Sequence, residues 1–201
     1  MASQPKPSYT AEEYLLMERE AEFKSEYIDG CIISMVGASE PHNLIVTNTV
    51  SELRNKLKAR DCRAYSSDMR VDLRERMLFA YPDVVVVCGE SQLADDQFHD
   101  NLRNPILIIE VLSQSTERYD RGLKFFKYRR IEFLEEYILI AQDRPLVERY
   151  VRQPNSNWLM TEISGLDGVV HLNSTGCDLK LSELYDKVEF DSDTKEGEKP
   201  A

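Results

Sequence analysis

The chain has 201 residues, 42% of them hydrophobic, and a formal net charge of −11, which is enough apolar material for one sizeable core. No apolar run approaches the ~20 residues that span a bilayer, and the opening MASQPKPSYT lacks the apolar stretch of a secretory signal, so the sequence reads as a soluble, cytoplasmic protein. The acid excess argues against indiscriminate nucleic-acid binding, but nine of the eleven negative charges fall in segments 12–29 and 183–201.

In chain order, residues 1–8 read as a flexible polar lead, 9–190 as a single domain and 191–201 as a disordered acidic tail. Thr10 is an N-cap with Glu13 at capping-box spacing, which predicts a short helix to about Glu20. Asp29-Gly30 is a hairpin turn between a strand arriving at Tyr27 and Ile28 and one leaving through 31–36. Leu44, Ile45, Val50, Leu53 and Leu57 predict a long helix over 40–60, with Glu40-Pro41 in its first turn. Residues 62–73 alternate as a strand or strand pair, and YPDVVVV is a buried strand introduced by proline. A polar loop leads to ILIIEVL, a strand apolar on both faces. Ser115 or Thr116 can cap a second long helix over 117–131, despite Gly122. Three strands follow, EEYILIAQ, PLVERYVRQ and NWLMTEIS. The pattern predicts an α/β (α+β) fold, a central mixed sheet flanked by helices with additional antiparallel strands. Residues 54–63 carry five bases against one acid and 117–130 six against two, which charge alone reads as solvated helix faces. Cys31, Cys62, Cys88 and Cys177 form no C-x-x-C pair and read as free thiols in a reducing compartment rather than zinc ligands or disulfides.

Chemistry enters with Glu110, a carboxylate inside ILIIEVL. An ionised carboxylate buried without a partner costs several kcal/mol, so it is paired, protonated or on a metal. Asp83 opens the other buried strand. If the two strands are neighbours, the two acids meet, and like charges that close need a cation between them. An all-oxygen site of this kind suits Mg²⁺ or Mn²⁺, with waters and a phosphate completing the shell.

Tyr81-Pro82-Asp83, the 27-residue gap to Glu110 and Glu110-Val111-Leu112-Ser113 resemble the PD-(D/E)xK signature of the restriction-endonuclease-like superfamily. Within it the chain is similar to a prokaryotic family grouped with restriction endonucleases and long filed as a domain of unknown function. The likeness runs from about Tyr9 to Tyr185 through EYIDG (26–30), Pro41-His42, SDMRV (67–71), YPDVVVV (81–87), IIEVLSQST (108–116) and the spacing Asp120, Lys124, Tyr128. The superfamily places a lysine two residues after the glutamate, where this chain has Leu112; the resemblance moves that role to Lys124 on the following helix. It implies a metal held by Asp83, Glu110, the carbonyl of Val111 and Glu26, with Lys124 positioning or deprotonating the attacking water. The implied activity is Mg²⁺- or Mn²⁺-dependent hydrolysis of DNA by a homodimer. Two rivals stand beside it: a non-catalytic nucleic-acid or protein-binding module, and a metal-dependent phosphatase or nucleotide hydrolase. His42 reads as a helix cap or a phosphate contact, Asp68 and Arg70 as a local ion pair, and Trp158, Tyr150 and Tyr14 as core or interface aromatics.

Overall fold

Residues 84–87 set the architecture. Side chains alternate across a strand, so Val84 and Val86 face one side and Val85 and Val87 the other, and all four are fully buried. Each contributes roughly 1.5–3 kcal/mol relative to exposure. Such a strand must be covered on both faces. The computed structural model, which describes residues 8–73, 77–94 and 97–190, supplies both covers; the expected tail 191–201 and all of the lead except Ser8 lie outside the described residues.

The middle layer is a six-stranded sheet in the order β11 (Trp158–Ser164), β10 (Leu146–Arg152), β9 (Glu136–Ala141), β8 (Leu107–Leu112), β6 (Val84–Cys88), β3 (Cys62–Ser66). Only β8 and β9 are parallel; the other neighbours are antiparallel. On one face lie α2 (Glu40–Leu57), the hairpin of β12 (Val169–Leu172) and β13 (Cys177–Lys180), and α5 (Leu181–Leu184), packed on Val84, Val86, Ile109 and Ile138. On the other lies a second sheet, β2 (Cys31–Ser34), β1 (Ser25–Ile28), β5 (Leu78–Ala80), β4 (Arg70–Leu73), β7 (Asn101–Leu102), whose Ile28, Val71, Leu78 and Leu102 meet Val85, Val87 and Ile108. The first helix, α1 (Ala11–Glu20), joins Tyr14 and Leu15 to Tyr27 and Phe79 of that sheet.

Local signals formed as expected where they were self-contained. Thr10 and Glu13 make the capping box. Asp29 and Gly30 take positive φ in the β1–β2 turn. The strand pair read in 62–73 is present as β3 and β4, divided between the two sheets. Two expectations are corrected. The single helix expected over 117–131 is three pieces, α3 (Glu117–Tyr119), a π-helical turn (Asp120–Lys124) and α4 (Phe125–Tyr128); Thr116 precedes it without a side-chain capping bond, and the backbone freedom of Gly122 lowers the cost of the wider turn. Cys62 and Cys88 stand opposite each other in the β3–β6 register and are joined as a disulfide, so only Cys31 and Cys177 are free. Among the described residues no helix is long and apolar enough to cross a membrane.

Candidate active site

Antiparallel pairing decides where Asp83 and Glu110 stand. Val84 is opposite Ile109, so Asp83, one residue earlier, is level with Glu110. The two are laced together: the Val111 amide donates to Asp83 Oδ2 at 2.7 Å and the Asp83 amide to Glu110 Oε2 at 3.3 Å. Alternation places Glu110 with Ile108 and Leu112 on the face turned to the second sheet. From that sheet β1 contributes Glu26, whose Oε1 accepts the Tyr81 amide at 3.2 Å.

The helical run brings the cation. Lys124 Nζ lies 3.0 Å from Glu110 Oε1, 3.1 Å from Glu26 Oε1 and 3.4 Å from Asp120 Oδ1, and the Tyr128 hydroxyl donates to Glu110 Oε1 at 3.3 Å. The π turn explains how positions 120, 124 and 128 all reach one point. An α-helix steps ~100° per residue, so side chains four apart drift by ~40°. A π turn closes i→i+5 bonds, takes more residues per turn and drifts the opposite way, which realigns the three. Glu26, Glu110, Asp120 and Lys124 are each no more than 5% exposed.

Four carboxylates, three in direct reach and Asp83 through Glu110, therefore share one ammonium. Burial, then the charges of Asp120, Asp83 and Glu26, push the Glu110 carboxyl well above 4.5 against the pull of Lys124. Burial likewise raises Asp120, again opposed by Lys124. Burial alone would lower the Lys124 ammonium, but Glu110 and Glu26 outweigh it and hold it well above 10.5, so the lysine stays charged. The cluster lacks positive charge, which a divalent ion would supply. Its donors are all oxygens, the set that Mg²⁺ or Mn²⁺ takes. Among the described residues no group of three or more His, Cys, Asp or Glu side chains is arranged as a metal site.

The cluster opens into a cleft of about 850 Å³ bordered by Glu26, His42, Asp83, Glu110, Val111 and Lys124. All five expected site residues thus meet in one place. Val111 enters it with its amide on Asp83. Glu26 is turned to Lys124.

His42 does not cap α2. Ser39 does, accepting the His42 amide, while the imidazole Nε2 sits 3.3 Å from Asp83 Oδ2 and Nδ1 is buried with no hydrogen-bond partner. Asp68 and Arg70 are no ion pair. Asp68 binds Lys24 at the surface, and Arg70 is buried on Asn101, Asp100 and the Tyr81 hydroxyl. Tyr81 also donates to Glu18, so this network fixes the turn that delivers Asp83. Nothing in the spacing of Glu18, Arg70 and Tyr81 announces that role.

Residues 11–182 match the Uma2 family, described as "Putative restriction endonuclease". The uncharacterized protein sll1609 of Synechocystis sp. is 40% identical over 156 residues, 78% of this chain and 88% of that protein. A second uncharacterized protein of the same organism, slr1290, is 32% identical over 188 residues, 94% and 97% of the two. A solved structure from Anabaena variabilis, described as a "putative nuclease belonging to DUF820", shares the fold with a TM-score of 0.71 at 22% identity, covering 88% of this chain and 97% of that one. The chain belongs to the Uma2 family of restriction-endonuclease-like proteins.

Proposed function

We propose that this protein is an endonuclease that hydrolyses DNA phosphodiester bonds with the help of Mg²⁺ or Mn²⁺. The observation that carries the reading is the gathering of Glu26, Asp83, Glu110 and Asp120 around the single ammonium of Lys124 beside an open cleft. A buried cluster left short of positive charge is a poor structural device and a good receiver for a cation. Asp83 and Glu110 would hold the ion, helped by the carbonyl of Val111 and by Glu26. When bound, a divalent ion supplies Lewis acidity toward the phosphate and acidifies water.

The chain's own groups do the rest. Lys124, held protonated by its acidic neighbours, donates to the oxygens that gain charge at phosphorus rather than deprotonating water. Glu26, Asp120 and Tyr128 fix the ammonium and Glu110 in register. A homodimer would match its two-fold axis to that of the duplex and cut both strands.

The test is nicking of supercoiled plasmid in Mg²⁺ or Mn²⁺ by the wild-type chain, Asp83→Asn and Glu110→Gln. Each substitution should cost about 10²–10³-fold or more in rate, the scale of removing a group that stabilises developing charge, with far-UV circular dichroism unchanged. Metal-dependent nicking that survives in both variants, or no nicking by the wild type above an EDTA blank, overturns the reading.

A further inference from the structure

The helical run that carries Lys124 ends in cations that the cleft does not use. Arg129 and Arg130 follow Tyr128 directly and, with Arg152, Phe125, Tyr150 and Trp158, border a hollow of about 590 Å³. Their guanidinium groups lie 4.7 and 5.2 Å from the centre of the Phe126 ring, and among the described residues neither has a carboxylate partner. Arg152 is fixed from behind: it donates to the carbonyls of Leu134, Arg129 and Ile131 and sits 4.8 Å over the Trp158 ring.

Three of the other four bases on the run, all but Arg118, are neutralised. Arg121 binds Glu117 and Glu148, Lys124 three carboxylates, and Lys127 Asp29. In a chain of net charge −11, an uncompensated pair of arginines next to part-buried aromatic rings is therefore a local exception. Arginine beside aromatic surface is the chemistry that holds single-stranded nucleic acid, with phosphates on guanidinium and an unstacked base against a ring. A second copy of the chain is a worse occupant, because a two-fold axis here would press like charges together.

We propose that this hollow binds a nucleic-acid strand outside the cleft, with its phosphates on Arg129 and Arg130 and a base against the wall of Tyr150 and Trp158. The proposal rests on the nuclease reading for its choice of ligand. Arg129 follows Lys124 by five residues, ~7.5 Å of helix axis, so one helical run carries both the proposed catalytic lysine and these arginines.

Trp158 is the sole tryptophan, so the hollow reports on itself. The full chain carrying Glu110→Gln is titrated in EDTA with a pyrimidine-rich single-stranded oligonucleotide, following tryptophan emission, and separately with a mononucleotide, inorganic phosphate and polyglutamate of matched charge. The oligonucleotide should give a saturable change. Exchanging Arg129 and Arg130 for alanine, both at the surface end of the run, should weaken it at least 10-fold and flatten the salt dependence by about 0.7 in log–log slope for each phosphate that is no longer neutralised.

No saturable response to the oligonucleotide, or equal affinity in the double variant, overturns the proposal. So does a mononucleotide, phosphate or polyglutamate that binds as tightly as the strand, since each removes the need for a strand bearing bases. Plasmid assays on the wild type separate the two readings: a tryptophan response without nicking sinks catalysis alone, and nicking without the response sinks the hollow alone.

Discussion

Glu110 on β8 and Glu136 on β9 are buried glutamates on adjacent parallel strands, facing opposite sides of the central sheet. Glu136 is surrounded by donors. Arg149 reaches its Oε1 through Nε at 2.8 Å and through a second nitrogen at 2.5 Å, the amides of Asn173 and Ser174 approach at 3.2 and 3.0 Å, and the Ser174 hydroxyl adds a fifth bond. Glu110 has the Asp83 amide, the Tyr128 hydroxyl and a lysine that it shares with Glu26 and Asp120. One carboxylate is complete and ties the turn after β12 to the central sheet. The other is one of four acids around a single cation. The same residue type at the same depth thus serves structure where its charge is balanced by the protein, and invites a ligand where it is not.

The sharpest way to break this contrast is Glu136→Gln. Removing one partner of a buried ion pair strands the other, here Arg149, and costs about 3–5 kcal/mol. Urea unfolding should show that loss, while the fraction that remains folded keeps its cleavage activity; a loss near zero would mean that Glu136 is no anchor. Glu110→Gln should behave in the opposite way. The Glu110 carboxyl is raised well above 4.5 by burial, so it binds its proton more tightly folded than unfolded. Its contribution to stability is complete below pH 4.5 and is lost as pH rises through the raised folded value. In EDTA, wild-type melting temperature should therefore fall from mildly acidic to neutral pH more steeply than that of Glu110→Gln. Mg²⁺ should raise the wild-type melting temperature at neutral pH and leave the variant nearly unmoved. Identical pH slopes in the two proteins would remove the electrostatic distinction between the glutamates.

The contrast also marks how far the sequence carries. Asp83 and Glu110 were legible because each is an acid at the end of an apolar strand, and Lys124 and Glu26 because of the family resemblance. By the rule that singled out Glu110, Glu136 in EEYILIAQ deserved equal suspicion, and nothing local separates the two. Their difference lies in Arg149, Asn173 and Ser174, which register and a distant turn bring in. The same holds for Cys62 and Cys88, 26 residues apart and face to face only through strand pairing, and for Ile28 and Val71, whose layer is set by the second sheet. The capping box of α1 and the Asp29-Gly30 turn needed only neighbours in sequence and were readable. Strands as short as Leu78–Ala80 and Asn101–Leu102 carry too few residues for a period to show.

The finest probe is Tyr128→Phe. The ring is fully buried among Ile108, Leu134, Tyr137 and Leu139, so phenylalanine keeps the packing and deletes only the hydroxyl. That hydroxyl is held protonated, because burial and then the charge of Glu110 push its pKa well above 10, and it acts as a donor throughout the working range. Its bond to Glu110 is long, 3.3 Å, so the expected loss is about 0.5–1.5 kcal/mol in stability and less than about tenfold in cleavage rate. The informative part is the direction with pH. Deleting a donor to the ionised carboxylate raises the Glu110 pKa further, so the Tyr128→Phe penalty should grow from acid to neutral pH in EDTA and shrink when Mg²⁺ is added. A penalty that ignores both pH and Mg²⁺ would assign Tyr128 to packing alone and leave Glu110 with one fewer tie to the helical run.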